Sequence, residues 1–369
     1  LLTYAKRVWF ANGIHHHYSN RKFDPGFPET AFREMVLASE AARLPLDEGM
    51  DPAGLVDLLT PVIFDPTVAP QKVNLTPGED LLVTSATNYY RDVTQAEAEA
   101  FYAERVDPDD PRPISWGLNS QLVKQDGEIV ERVWRIGGMY GAALEQVVFW
   151  LEQAVPVAEN DAQRAWLEKL IAYYRSGDLS DFDDYNVAWV GDTDSRVDTI
   201  NGFIEVYGDP LGYRGAWESV VSIRDLEATA RIAAIGGHAQ WFEDNSPIQD
   251  EHKKENVVGI SAKVITVVME GGDAAPSTPI GINLPNANWI RKEHGSKSVT
   301  MGNIIDAYTV ASAASGFHDE FMYTDEEKAR FAEHGNLAYF LDVDLHEVIG
   351  HASGQINSGV GTPKETLKN

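Results

Sequence analysis

The sequence predicts an α+β protein, with strands and helices mixed through its first part and helices dominating its last. Three observations carry this reading. "EIVERVWRIGG" (128–138) reads as a strand entering a Gly-Gly turn, and "ISAKVITVVMEGG" (260–272) is β-branched and ends in a turn signal. "AALEQVVFWLEQAV" (142–155) and "DAQRAWLEKLIAYYRS" (161–176) repeat apolar residues at helical spacing. From residue 300 onward the pattern is helical, over 300–315, 325–334 and about 335–352. A chain of 369 residues exceeds one ordinary core, so about two domains are expected.

The remaining elements follow in order. "GIHHHYSN" (13–20) reads as partly exposed turn residues, with a metal cluster as the alternative. Helices are expected at 28–44 and 94–106, both with acidic residues in the first turn. The segment 177–215, with "SGDLSDFDDYN" and "YGDPLGYRG", reads as turn-rich, and Asp209 and Arg214 within it as structural turn residues. "PIGINLPN" (279–286) is extended, because the residue before Pro285 avoids the helical region.

Composition narrows the function classes. An apolar fraction of 43% with 9 Trp belongs to a folded globular protein. With 0 Cys, disulfides and thiolate metal sites are excluded, which fits a reducing compartment. A formal charge of -27 repels a phosphate backbone, so nucleic acid is not an expected partner; the same surface tolerates cations such as a peptide's α-ammonium. No apolar run approaches the roughly 18 residues of a membrane span, so no membrane partner is expected. No signal peptide is visible, so a cytoplasmic location is expected, with the periplasm as the alternative because the chain opens on Leu1.

The chemistry concentrates in "DLHEVIGHAS" (344–353). His346 and His351 are five residues apart. On a regular α-helix such residues point about 140° apart, so they cannot share an ion. The spacing therefore predicts a bulge, a single i→i+5 turn, with Gly350 supplying backbone freedom. Two neutral imidazoles suit Zn²⁺, and a catalytic zinc keeps one position for water. Glu347, beside the first histidine, is placed to act as general base toward that water. The alternative is a helix that carries two chance histidines and a solvated glutamate.

"HEVIGHASG" resembles the HExxGH zinc motif of the dipeptidyl peptidase III family, peptidase family M49. "NGFIEVYGDPLGYRGAWES" (201–219) resembles that family's N-terminus-binding segment. "PIGINLPN" (279–286) and "KSVTMGNIIDAY" (297–308) resemble two more segments of its cleft, and "NGIHHHYSNRKFDP" (12–25) a stretch nearer the start. The chain is similar to a bacterial member. Between Asn286 and Tyr308 it is slightly shorter than the eukaryotic members.

The resemblance implies a two-lobed zinc exopeptidase that releases dipeptides from the N-terminus of oligopeptides. The lower lobe, containing a β-barrel, would take residues 1–224 and 264–311. A mostly helical, incomplete upper lobe would take 225–263 and 312–369. His346 and His351 would be zinc ligands and Glu347 the catalytic base. Tyr308 would polarise the scissile carbonyl, a task of oxyanion stabilisation. Glu205 would bind the substrate ammonium, with Tyr207 on its face. Asn283 and Asn286 would hold the first residue's backbone, and Glu218 and Trp189 would complete the cleft. The family's third ligand is a glutamate in an EExRA(D/E) motif after HExxGH, and no such motif follows in this sequence. The resemblance then implies either a second polypeptide that supplies it or a two-ligand fragment. Read without the resemblance, Glu205 is a solvated acid, the asparagines cap a turn, Trp189 is core and Tyr308 is an exposed helix residue. A single-residue aminopeptidase and a catalytically incomplete peptide-binding module remain the rival functions.

Overall fold

The computed structural model describes residues 1–257, 260–276, 278–351 and 353–355. The end of the expected upper lobe, 356–369, lies outside the described residues. Helices α1 (Leu2–Phe10), α2 (Glu29–Ala38) and α3 (Pro52–Phe64) open the chain. A small three-stranded sheet follows, with β1 (Tyr90–Arg91) parallel to β2 (Ser120–Gln125), and β2 antiparallel to β3 (Glu128–Val133). Beside it lie α4 (Leu81–Thr84) and α5 (Gln95–Ala103). Helix α5 starts on a reciprocal cap: Thr94 accepts from the backbone N–H of Glu97 and Glu97 accepts from that of Thr94, which satisfies two otherwise orphaned donors. Then come α6 (Gly141–Ala154), α7 (Asp161–Ser176) and α8 (Leu179–Gly191).

Helix α8 is where the expectation of turns over 177–215 fails. Its acidic residues look like a solvated loop, yet Asp178 caps its start by accepting from Ser180 N–H. Phe182, Tyr185 and Trp189 follow at helical spacing and are all buried. They join Trp166, Leu170 and Tyr174 of α7, and burying each such side chain is worth about 1.5–3 kcal/mol. Tertiary packing therefore decides this helix. The three histidines near the start also need a correction: His15 is buried, with Nε2 2.8 Å from the Ala69 carbonyl, while His16 is exposed.

The second sheet holds the site. Its strands are β4 (Val197–Glu205), β5 (Ala216–Arg224), β6 (Ile260–Gly272), β7 (Gly281–Leu284) and β8 (Ser296–Met301), in the order β4-β5-β6-β8-β7. Only the β6–β8 pair is parallel. The sheet curls, because groups from opposite ends meet. Lys297 Nζ of β8 lies 2.8 Å from Asp198 Oδ2 of β4, and Asn286 beyond β7 donates to Glu205 at the end of β4 over 3.2 Å. Among the described pairings, none joins β4 to β7, so the expected barrel is seen as a curled five-stranded sheet.

Helices α9 (Leu226–Gly236) and α10 (Ala239–Asn245) connect β5 to β6, and α11 (Asn288–His294) connects β7 to β8. After β8 come α12 (Gly302–Ala314), α13 (Phe317–Phe321) and α14 (Asp325–Leu345). The two helices expected from 325 form one, capped at Thr324. It runs into a π-helical turn over His346–Gly350. Val348 of that turn packs with Ala228 and Ile232 of α9 and Val264 of β6.

Candidate active site

The π turn is the bulge that the five-residue spacing demands. The backbone N–H of His351 donates to the carbonyl of His346 over 3.2 Å, an i→i+5 bond. The turn brings the imidazoles of His346 and His351 to 5.1 Å between ring centroids. With Glu347 they form a group whose ligand atoms all lie within 4.8 Å of one another. Among the described residues it is the one such group found. Gly350 needs a different explanation from the one the sequence offers. It is absent from the positive-φ glycines, and an added Cβ would come no nearer than 4.0 Å, to the Leu345 carbonyl. The turn itself therefore does not require glycine.

Glu347 is buried between two exposed histidines. Burial, and then the Asp344 carboxylate, push its carboxyl up to about 7. Its Oε2 has no hydrogen-bond partner. Gly281 of β7 makes room for it, because a Cβ there would stand 2.3 Å from Glu347 Oε1.

Strand β8 holds this turn by one of its faces. Side chains alternate along a strand, so Ser296, Ser298 and Thr300 share the face opposite Lys297, Val299 and Met301. The Ser298 hydroxyl donates to the Glu347 carbonyl over 2.7 Å, and Thr300 donates to Asp344 over 2.8 Å. Asn283 uses the same face: its Nδ2 donates to Ser296 Oγ at 3.0 Å and Ser298 Oγ at 2.5 Å. Ser298 thus joins Asn283 to the π turn. Asn283 Oδ1 is buried without a partner. Arg291 of α11 steadies this corner, donating to the carbonyls of Pro285 at 2.6 Å and Asn283 at 3.0 Å.

The other predicted residues form a carboxylate group at the ends of β4 and β5. Glu205 receives Asn286 Nδ2. Glu218 is buried, and burial, then Glu205, Asp273 and Glu270, push its carboxyl up to about 8. Tyr207 is exposed, and its hydroxyl is pushed up first by Glu205. Tyr308 donates to the Thr278 carbonyl over 3.2 Å, and Thr278 donates to Glu270, which places Tyr308 on this carboxylate side. Trp189 is not brought to either group. Its indole is 3% exposed, and its Nε1 donates to Asp198 over 2.8 Å.

Sequence reasoning missed Glu270, Asp273, Gly281, Arg291, Ser298 and Thr300. Each serves the site through strand register or curl, which no local motif announces. Burial of Glu218 has a measurable consequence. Its folded carboxyl titrates at about 8 against an ordinary 4.5, so the folded state binds the proton more tightly. This contribution to stability is fully present below the ordinary value and is lost as pH rises through the folded one. Glu218→Gln is expected to flatten that slope in denaturant titrations between about pH 5 and about pH 8.5, and to be the more stable protein at the upper end. A parent and variant with parallel slopes would remove Glu218 as the cause.

A buried glutamate set between two histidines, held against a sheet that also carries a cluster of carboxylates, fits a metallopeptidase. The model of peptidase family M49 matches residues 119–360, and the chain belongs to that family. It is 32% identical over 234 residues to dipeptidyl peptidase 3 of Dictyostelium discoideum, covering 63% of this chain and 32% of that one. Human dipeptidyl peptidase 3 is 25% identical over 386 residues, covering 96% of this chain and 50% of that one. The solved structure of DPP III from Caldithrix abyssi shares the fold, with a TM-score of 0.53 at 21% identity, covering 83% of this chain and 55% of that one. The chain spans 32% to 50% of the length of these two curated relatives.

Proposed function

We propose that this chain carries the peptide-binding and metal-binding parts of a zinc dipeptidyl-peptidase. The observation that carries the reading is the Ser298 bridge, which ties Asn283 to the backbone of Glu347. The donor set suits zinc: two imidazoles, and a neighbouring buried carboxylate with an orphaned oxygen. His346 and His351 would hold the ion. Zinc bound there would act as a Lewis acid, making a water more acidic and polarising a carbonyl.

The chain's own residues do the rest. Glu347 takes a proton from the attacking water and delivers it to the leaving amine, which its position near neutrality allows. Glu205 attracts the α-ammonium, which is cationic below a pKa of about 8, and the arriving charge favours the ionised form of Glu218, which burial otherwise holds protonated near neutrality. Asn283 Oδ1 accepts from the first residue's backbone, and Asn286 helps to align it. Tyr207 and Tyr308 border this pocket, and Tyr308 is the candidate to polarise the scissile carbonyl. In this reading residues 1–224 and 264–311 form the substrate lobe, while 225–263 and 312 onward carry the metal. Oligopeptides with a free N-terminus are the substrates. Whether a second polypeptide contributes a ligand is answered by the same assay.

That assay incubates the chain with zinc and an unblocked decapeptide, with products read by mass spectrometry. Sequential loss of residue pairs is the expected result. Loss of single residues would make it an aminopeptidase. Binding without cleavage would make it a peptide-binding module. No cleavage by the chain alone, with cleavage on adding the relatives' EExRA(D/E)-bearing region, would identify a ligand supplied in trans.

A further inference from the structure

Beneath the curl of the second sheet, far along the strands from Glu205, lies a cavity of about 10 Å³. Its walls include Asp198 of β4, Ser222 and Arg224 of β5, and Lys263 of β6. Register explains the grouping. Ser222 pairs with Asp198, and Arg224 with Ile265, so these side chains and Lys263 stand on the same inner face.

Two of the wall residues present unanswered cationic donors. Lys263 is 5% exposed, and its Nζ has no hydrogen-bond partner. Arg224 donates its terminal nitrogens to the carbonyls of Thr193 and Asp194, but its buried Nε has no partner. The carboxylates nearby are already used. Asp198 receives Lys297 Nζ, Trp189 Nε1 and Thr199 N–H. Asp192 receives Trp166 Nε1 and both the hydroxyl and N–H of Ser195. The charges acting on Lys263 are those of Lys297, Asp198, Arg224 and Asp192. Counting Lys263 itself, cations outnumber carboxylates by one. Arg196 also lines the cavity, but it is exposed and the Glu159 carboxylate accepts from its backbone N–H, so the edge adds no net charge.

We propose that this cavity is a binding site for a monatomic anion of the chloride class, held between Nζ of Lys263 and Nε of Arg224. Size selects the class. A volume of this order admits one water-sized particle and excludes phosphate, sulfate or a carboxylate. Charge separates an anion from water. A water would answer the hydrogen bonds but leave the extra positive charge buried, which is costly. Burial and the neighbouring cations already depress the Lys263 ammonium, and an anion relieves both effects. The site bears on the active site because Lys297 and Val299, on the inner face of β8, back the same strand whose other face holds Glu347.

The probe is bromide, which scatters anomalously. In crystals grown with bromide, one anomalous peak is expected between Lys263 Nζ and Arg224 Nε. In solution, the melting temperature is expected to rise with the logarithm of bromide concentration once the site fills, at constant ionic strength and relative to gluconate, which is too large to enter. Ligand linkage requires that form of dependence. Lys263→Met is expected to lose both the peak and the dependence. Should that variant not fold, the parent's peak and its bromide–gluconate difference decide the matter alone. Bromide peaks confined to the surface, or equal melting in both salts, would overturn the proposal and leave a water beside a neutral lysine.

Discussion

In the dipeptidyl-peptidase reaction proposed for this chain, Glu347→Gln is expected to slow dipeptide release by about 100-fold to 10,000-fold while leaving peptide affinity unchanged. The amide has the carboxylate's shape, so it fits the space that Gly281 leaves open and keeps the turn intact. Ser298 contacts the backbone carbonyl of residue 347, so this anchor also survives the substitution. What disappears is the proton acceptor. In the metal-free chain, burial and then Asp344 push the parent carboxyl up to about 7, so it can both take and release a proton near neutrality. An amide cannot take the water's proton. The measurement is kcat on an unblocked peptide beside the dissociation constant of an uncleavable analogue. Unchanged kcat would remove Glu347 from the proton-transfer role. A rise in both kcat deficit and dissociation constant would mean that the carboxylate holds substrate instead.

The π turn was legible because, for two histidines that share one ion, geometry allowed one solution. Five-residue spacing cannot aim two side chains alike on an α-helix, so the backbone had to widen at His346–Gly350. Long elements of one period were equally readable. The strand at 260–272 and the helix at 161–176 stand where their patterns place them. Helix α8 was not, because its aspartates gave the segment a loop's composition while Phe182, Tyr185 and Trp189 supplied the deciding packing. The reading of Trp189 as core, made without the resemblance, matches its place: its ring centroid lies 4.3 Å from Lys297 Nζ, a contact that needed α8 and the sheet to be seen. The supports of the site were hidden for a different reason. "SKSVTM" shows small polar residues in alternation, yet only pairing with β6 and β7 decides which of its faces meets the π turn. Glu218 and Glu270 face one another's charge only because the sheet brings β5 beside β6. Chemistry carried by a contiguous motif can be read from sequence; chemistry assembled by register needs the fold.

Arg214→Ala is expected to cost on the order of 3–5 kcal/mol of stability, the range for stripping one partner from a buried charge network. The guanidinium is fully buried. It donates to the hydroxyl of Tyr90 over 2.9 Å and that of Tyr102 over 2.5 Å, and lies 4.3 Å and 4.9 Å from their ring centroids. Those tyrosines pass the charge on. Tyr90 donates to Asp209, and Tyr102 to Glu131. Asp209 in turn accepts from the N–H groups of Leu211, Tyr213 and Arg214, which closes the turn between β4 and β5. Alanine would leave Asp209 buried without its counter-charge and open a cavity against two rings. The damage would reach the site through that turn, since it carries Tyr207 and sets how β5 presents Glu218. Peptide affinity should therefore fall with stability, while zinc affinity, which depends on the turn at His346, should hold. Arg214→Lys separates charge from shape. A lysine restores the positive charge but not the fork that reaches two hydroxyls, so most of the loss should persist in denaturant titrations. Full recovery by lysine would mean that charge balance alone holds the turn. Loss of zinc affinity together with peptide affinity would mean that the network supports the whole sheet and not this turn in particular.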